Sequence, residues 1–227
     1  MMLSILIPTL ENRKEQFERL TGKIKKQIAQ NHLESELEIL DFPDNGEHTV
    51  GHKRNILIEQ AQGEFIVFID DDDDINIHYV KLICDAIRKY QDIDCIGLKG
   101  RVTFAGKSPR QFIHSIQYKE YSSSNGAYYR PPYHLNPMRR SIAQKYKFED
   151  ISYSEDIDWA MRICRDEALQ KEFMIDEILY YYHSRRNWVY QLIVDRTEKI
   201  RHALGLQLAN RIRVKRWFEN NIKVKGL

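Results

Sequence analysis

The sequence predicts an α/β fold: a mostly parallel, doubly wound sheet with helices on both faces, followed by a basic helical tail. Two observations carry this. Across residues 3–98, short β-branched runs alternate with segments of helical periodicity, the order that builds parallel sheets through right-handed crossovers. The third apolar run, Phe65-Ile66-Val67-Phe68-Ile69, then empties directly into five consecutive aspartates, Asp70 to Asp74. Ligands of open α/β sheets collect at such carboxyl ends of strands.

Taken in order, Leu3–Thr9 reads as a first strand, and Arg13–Gln30 places Phe17, Leu20, Ile24 and Ile28 on one helical face. Leu37–Phe42 is a second strand. Thr49 caps a helix that runs through Ile56 and Leu57 to Ala61, and Gly63 stops it. Glu64–Ile69 is the third strand. Leu82, Ile83, Ala86, Ile87 and Tyr90 mark the buried face of a helix over 77–90, ahead of a strand at Ile93–Leu98. Phe104–Pro137 reads as a long irregular stretch centred on Ser122-Ser123-Ser124-Asn125-Gly126, with Tyr118, Tyr121, Tyr128, Tyr129 and Tyr133 around it. Ser154 reads as the N-cap of a helix whose buried stripe is Ile157, Ala160, Met161, Cys164 and Ala168, and Ile178–Tyr182 as a strand closing on His183. One domain in two fused halves, 1–100 and 101–190, is followed by a tail at 191–227.

Composition narrows the class. With 227 residues, 42% hydrophobic and 30% charged, the chain is an ordinary globular protein that buries a substantial core. Cys84, Cys95 and Cys164 are widely separated and form no CxxC pair, which argues against a disulfide framework or a zinc site and fits a reducing, cytoplasmic setting. The N-terminal run Met1–Pro8 is too short for a signal peptide, and no stretch reaches the ~18 apolar residues of a membrane span. The tail carries nine Lys/Arg against three Asp/Glu in a chain whose total charge is only +2. Leu204, Leu208, Ile212, Trp217 and Phe218 beside Arg211, Arg213, Lys215 and Arg216 suit a basic amphipathic helix that packs on the body, docks a partner or lies on an anionic membrane surface.

The aspartate run is electrostatically costly. Each like-charge pair at ~4 Å costs about 1 kcal/mol in water and several times that near protein, so the cluster needs a compensating cation, and a divalent metal is the natural one. An EF-hand is excluded, because its sixth position is Ile75 instead of Gly and its twelfth is Lys81 instead of Glu. No GxGxxG occurs, and Gly100–Ser108 places five residues between its glycines where a phosphate loop has four. Pro8-Thr9, Asp41 with Asp44-Asn45, and Asp70 to Asp72 all fall at or just past the ends of successive strands. A nucleotide held on this edge without a glycine loop needs a metal to neutralise its phosphates.

These residues carry a family resemblance. Leu3-Ser4-Ile5-Leu6-Ile7-Pro8-Thr9, Lys53-Arg54-Asn55 and Ala61 to Asp73 resemble the N-terminal half of family-2 glycosyltransferases with the GT-A fold, and Ser154-Glu155-Asp156-Ile157-Asp158-Trp159 resembles their acidic acceptor-side motif. The resemblance covers residues 2–187 and implies an inverting transfer of a sugar from a nucleoside-diphosphate donor, a UDP-sugar favoured, to a carbohydrate or lipid-linked hydroxyl acceptor in glycan or surface-polysaccharide synthesis. On it, 1–100 is the donor half and 101–190 the acceptor half. Asp70 and Asp72 match the DXD motif, with Asp72 the stronger metal ligand and Asp71, Asp73 and Asp74 able to substitute if the register shifts by one. Pro8, Thr9 and Asp44 match positions at the nucleobase, although Asp41-Phe42-Pro43-Asp44-Asn45-Gly46 departs from the usual Asp-Asp-Gly-Ser run. Lys53 and Arg54 would contact the donor, Asp156 would be the general base and Glu155 its acceptor-orienting partner. His183 would complete a Mn²⁺ (or Mg²⁺) site with Asp70 and Asp72. The tyrosines of 104–137 suit sugar stacking, and Arg130-Pro131-Pro132-Tyr133-His134-Leu135-Asn136-Pro137 resembles the family's acceptor-side segment without residue roles. The resemblance implies a cytoplasmic enzyme, at a membrane periphery if the tail binds there, and no nucleic-acid partner. Two other readings remain: a sugar nucleotidyltransferase, whose Gly-rich loop is replaced by Leu10-Glu11-Asn12-Arg13, and a non-catalytic metal- or carbohydrate-binding module.

Overall fold

The computed structural model describes residues 1–184, which form one compact unit. The expected basic helix at 191–227 lies outside the described residues. In chain order the elements are β1 (Leu3–Pro8), a 3-10 turn (Glu11–Arg13), α1 (Lys14–Gln30), β2 (Leu37–Phe42), α2 (Val50–Gln60), β3 (Phe65–Phe68), β4 (Asp74–Ile75), α3 (Tyr79–Lys89) and β5 (Cys95–Phe104). They continue with β6 (Lys107–His114), β7 (Ser122–Ser124), β8 (Ala127–Arg130), β9 (Met138–Arg139), α4 (Arg140–Ala143), α5 (Glu155–Arg165) and β10 (Glu172–Ser184). Among the described residues, no helix is long and apolar enough to cross a membrane.

The main strands β2, β1, β3, β5 and β10 run in one direction. β1 pairs in parallel with β2 and β3, and β10 pairs in parallel with β5. Short β9 lies antiparallel between β3 and β5, and β6 takes over that edge of β5 from Leu98 onward. Strand alternation then divides the apolar side chains between two cores. Leu3, Ile5 and Ile7 of β1 meet Leu20 and Ile24 of α1 and Val80, Ile83 and Ile87 of α3. Leu6 faces the other way, to Leu57 and Ile58 of α2 and Trp159 and Ile163 of α5. Each large apolar side chain buried this way contributes about 1.5–3 kcal/mol, so a register slip in β1 would exchange the two cores and lose most of both.

Several local expectations are corrected. The stretch 104–137 holds three strands. β5 and β6 form a hairpin through Ala105 and Gly106, at φ 48° and 74°, so Gly106 belongs to the turn and Gly100 to β5 itself, opposite Phe112. Asn125 and Gly126, at φ 50° and 77°, make the tight turn between β7 and β8, the geometry Asn-Gly favours. Composition concealed these strands, since β7 is three serines and β6 opens on Lys107-Ser108-Pro109-Arg110.

Gly63 does not stop α2, which ends at extended Ala61. Glycine is needed at 63 because a Cβ there would lie 2.5 Å from the Ser4 amide of β1. Ser154 gives no side-chain cap and enters α5 left-handed at φ 69°. The buried face of α5 is Glu155, Trp159, Ala160 and Ile163, rotated from the expected stripe. The indole decides the rotation: Trp159 stacks on Phe148 at 4.7 Å and donates its N–H to the Tyr146 carbonyl at 2.7 Å, so it is buried without an orphaned polar atom.

Candidate active site

At the end of β3 the chain leaves the sheet, and its successive carboxylates take alternating environments. Asp71 is buried, 2% exposed, and accepts from Thr9 Oγ1 at 2.7 Å and Arg13 Nη1 at 2.8 Å. Asp73 is also buried, and accepts from the Tyr180 hydroxyl at 2.8 Å and the His183 amide at 2.9 Å. Burial and neighbouring Asp70 push its carboxyl well above the usual range. Asp70 and Asp72, by contrast, keep side chains 31% and 26% exposed. Asp74 pairs at the surface with Lys23 at 2.6 Å and Arg19 at 3.6 Å.

Part of the charge of the run is met by the protein's own cations. Arg13 lies 2.8 Å from Asp71 and 3.6 Å from Asp72, and Arg54 Nη2 donates to Asp70 at 3.1 Å. Burial opposes a charge on Asp70, yet Arg54, His134 and Arg13 together hold its carboxyl far below the ordinary value.

The α2 helix starts on Thr49, whose Oγ1 accepts from the His52 amide at 3.0 Å, and it carries both cations of the Lys53-Arg54 pair inward. Lys53 does not face an open cleft. It is buried between the Thr9 carbonyl, at 2.6 Å, and Asp44, with which it forms an ion pair. Asp44 also accepts from the amides of Gly46 and His48 at 3.1 and 2.9 Å. Burial alone would raise its carboxyl, but Lys53 and the two amides bring it down to about 2. Arg54 lies against the rings of Phe68 and Phe148, 5.3 and 5.5 Å from their centroids. From there Nη2 reaches Asp70 on one side and Glu155 of α5, at 3.8 Å, on the other.

A second bridge runs parallel to Arg54. His134 sits on the buried turn after β8, fixed by its carbonyl, which accepts from the Phe68 amide at 3.0 Å, and by Asn136, whose side chain donates to the Ile96 carbonyl at 2.9 Å. Its Nε2 is 3.6 Å from Asp70 and its Nδ1 3.6 Å from Asp156. Burial and Arg54 lower its pKa, against the opposing pull of Asp70 and Asp156. Glu155, 6% exposed in its side chain, is pushed up to about 7 by burial, with Arg54 opposing and Asp156 adding to the rise.

Carboxylates from opposite halves of the chain thus converge, Asp70 and Asp72 at the end of β3 and Glu155 and Asp156 at the start of α5. Two comparisons with known proteins give nothing: no family profile matches the chain, and no curated protein matches it. Solved structures do match. The crystal structure of residues 1–349 of S. aureus TarS is 18% identical, with a TM-score of 0.57 over 81% of this chain and 60% of that one. The same fragment in complex with UDP is 19% identical with a TM-score of 0.56, covering 81% and 60%, and in complex with UDP-GlcNAc 18% identical with a TM-score of 0.55, covering 82% and 60%. The fold is that of a GT-A glycosyltransferase. The chain spans 60% of the length of these TarS fragments.

Within the GT-A fold, the expected site residues occupy two settings. Asp70, Glu155 and Asp156 are drawn together through Arg54 and His134, and Asp72 lies beside Arg13. Thr9, Asp44, Lys53 and Asp71 tie the ends of β1 and β2 to the aspartate loop, with Pro8 pairing with Phe42 at the last register of those strands. His183 touches the loop through its backbone, while its exposed ring lies 3.3 Å from Thr103 Oγ1. Among the described residues no three His, Cys, Asp or Glu side chains are gathered to hold a metal. Two open carboxylates nevertheless suit a cation whose other ligands are phosphate oxygens and water. The sequence reading passed over Arg13, His134 and Tyr180. Arg13 carried a usable signal, a cation just past a strand end opposite an acidic run. His134 carried none beyond its place in an unassigned segment.

Proposed function

We propose that this protein is an inverting, metal-dependent glycosyltransferase that moves a sugar from a nucleoside-diphosphate sugar to a hydroxyl of a carbohydrate or lipid-linked acceptor. The observation that carries the reading is the span from Asp70 to Asp156 across one imidazole, 3.6 Å on each side. It sets a candidate diphosphate-side carboxylate and a candidate base within one cleft of a GT-A fold. A UDP-sugar is the favoured donor, since a fold neighbour is known in complex with UDP and with UDP-GlcNAc.

Asp70 and Asp72 would hold Mn²⁺ or Mg²⁺ between the protein and the donor diphosphate, with His183 the third candidate ligand. Such an ion offsets the negative charge that grows on the departing diphosphate. Arg13, close to both Asp71 and Asp72, adds a fixed positive charge on the same side. Asp156 takes the proton of the acceptor hydroxyl as its oxygen bonds to the anomeric carbon and the carbon–oxygen bond to the diphosphate breaks on the opposite face, which inverts the centre. Glu155, uncharged below about pH 7, offers an O–H donor beside the base and orients the acceptor. Tyr153, 80% exposed just ahead of α5, supplies a ring face for the incoming sugar.

Calorimetric titration of UDP, GDP, CDP and dTDP, with and without Mn²⁺, tests the donor side. Wild type should bind one nucleotide in a metal-dependent manner, and Asp72→Ala should lose that dependence while melting normally. Absence of nucleotide binding in every condition would remove the proposal.

A further inference from the structure

Beside Arg54, the His134 ring is a second polar group between the two carboxylate centres to which the reaction assigns no role. Both ring nitrogens are buried and without a hydrogen-bond partner, and each faces a carboxylate at 3.6 Å, about half an ångström beyond a normal hydrogen bond. A neutral imidazole carries one N–H and one lone pair. It can therefore donate to Asp70 or to Asp156, and whichever it serves, the other faces a lone pair.

The surroundings make this choice consequential. The ring has little freedom to turn away: Tyr133 lies edge-on at 4.4 Å, Phe68 at 6.4 Å, and the His134 carbonyl is tied to β3. Asp70 has an alternative donor in Arg54 at 3.1 Å. Among the described residues the Asp156 side chain accepts one hydrogen bond, from the adjacent Ile157 amide at 2.8 Å. The charged groups facing the ring are Asp70, Arg54 and Asp156. Resting on the proposal that Asp156 is the base, we propose that His134 is a positioning residue: its single N–H aims the Asp156 carboxylate and, through the opposite nitrogen, couples that aim to the state of Asp70.

Occupation of Asp70 by the donor complex removes its claim on the imidazole proton and leaves the N–H on the Asp156 side. The base would then be held in place when a donor is bound and left less constrained when none is, which links acceptor activation to donor binding through a path of one side chain.

Two measurements test this, one of them independent of turnover. Long-range ¹⁵N–¹H spectra of the full chain with ¹⁵N-histidine, with the His134 signal assigned by its loss in His134→Phe, should show one dominant tautomer. Asp156→Asn and Asp70→Asn should each shift both ring nitrogens, including the one remote from the substitution. If each substitution moves only the nitrogen it faces, or neither, the coupling is refuted. In the transfer assay, His134→Phe should lower kcat by about 100-fold with donor and acceptor KM nearly unchanged, and His134→Gln, which restores an N–H, should recover about tenfold of it. Equal losses in both variants that track a fall in Tm would show a packing role alone and overturn the proposal. Coupled ¹⁵N shifts in a protein that transfers no sugar would leave the link standing and remove the assigned reaction instead.

Discussion

Asp71 and Asp73 alternate with Asp70 and Asp72 along four residues of chain, yet the two pairs have opposite surroundings. The first pair is buried and anchored to Thr9, Arg13, Tyr180 and the His183 amide. The second pair is partly open and leans toward cations bordering the cleft. A turn over Asp71-Asp72, closed by the Asp73 amide donating to the Asp70 carbonyl at 3.1 Å, separates the two environments. The comparison teaches that an acidic run can be its own scaffold: two of its five carboxylates fix the loop so that two others are presented in a set geometry.

The largest effect should come from the anchoring pair. Asp71→Ala leaves the buried Thr9 hydroxyl without its acceptor and takes the nearer carboxylate from Arg13, and should cost about 3 kcal/mol in denaturant unfolding, whereas Asp72→Ala should stay within about 0.5 kcal/mol of wild type. Equal stability losses in the two would break the division of labour. Next in size, Asp156→Asn should bind nucleotide normally and lose turnover by about 100-fold or more, and near-normal turnover would remove it as the base.

Glu155 sharpens the contrast on the acceptor side through pH. Its folded pKa of about 7 lies above the ordinary 4.5, so the folded chain holds a proton that the unfolded chain has lost between those values. Its contribution therefore becomes unfavourable as pH rises through that window and stays so above it. Glu155→Gln should match wild type near pH 5 and be more stable by about 1–3 kcal/mol at pH 8, which thermal melts at the two pH values would show. The smallest effect belongs to the surface partner of Asp74: Lys23→Ala should cost under about 1 kcal/mol, and less in high salt.

The sequence made the first half of the fold legible because there each signal is local and agrees with its neighbours. The Thr49 cap, the face of Leu20, Ile24 and Ile28, and the strand Phe65–Phe68 all appear where the pattern places them. The second half was less legible for physical reasons. Strand β7 is all serine and β6 opens on Lys107-Ser108-Pro109-Arg110, so neither announces itself by apolar alternation, and α5 is rotated by one indole whose partners, Phe148 and the Tyr146 carbonyl, lie on a preceding loop. In the candidate site the acidic residues were visible as types in a pattern. Their pairing was not, because Arg13, Arg54 and His134 meet the aspartates only after the chain has closed across separations that no periodicity records.

The hydrogen bonds that complete the aspartate loop also impose an order of assembly. Tyr180 supplies the hydroxyl that accepts from the Asp70 amide at 3.2 Å and donates to Asp73, across 107 residues in the latter case. During synthesis, β1, β2 and β3 emerge long before β10, so the nascent chain carries a crowded anionic turn whose last fastening has not yet been made. The cleft cannot mature piece by piece from the N-terminus. It becomes a finished object only when the last described strand is laid beside β5, and a ribosome stalled upstream of Tyr180 would hold a sheet already paired but a donor loop still loose.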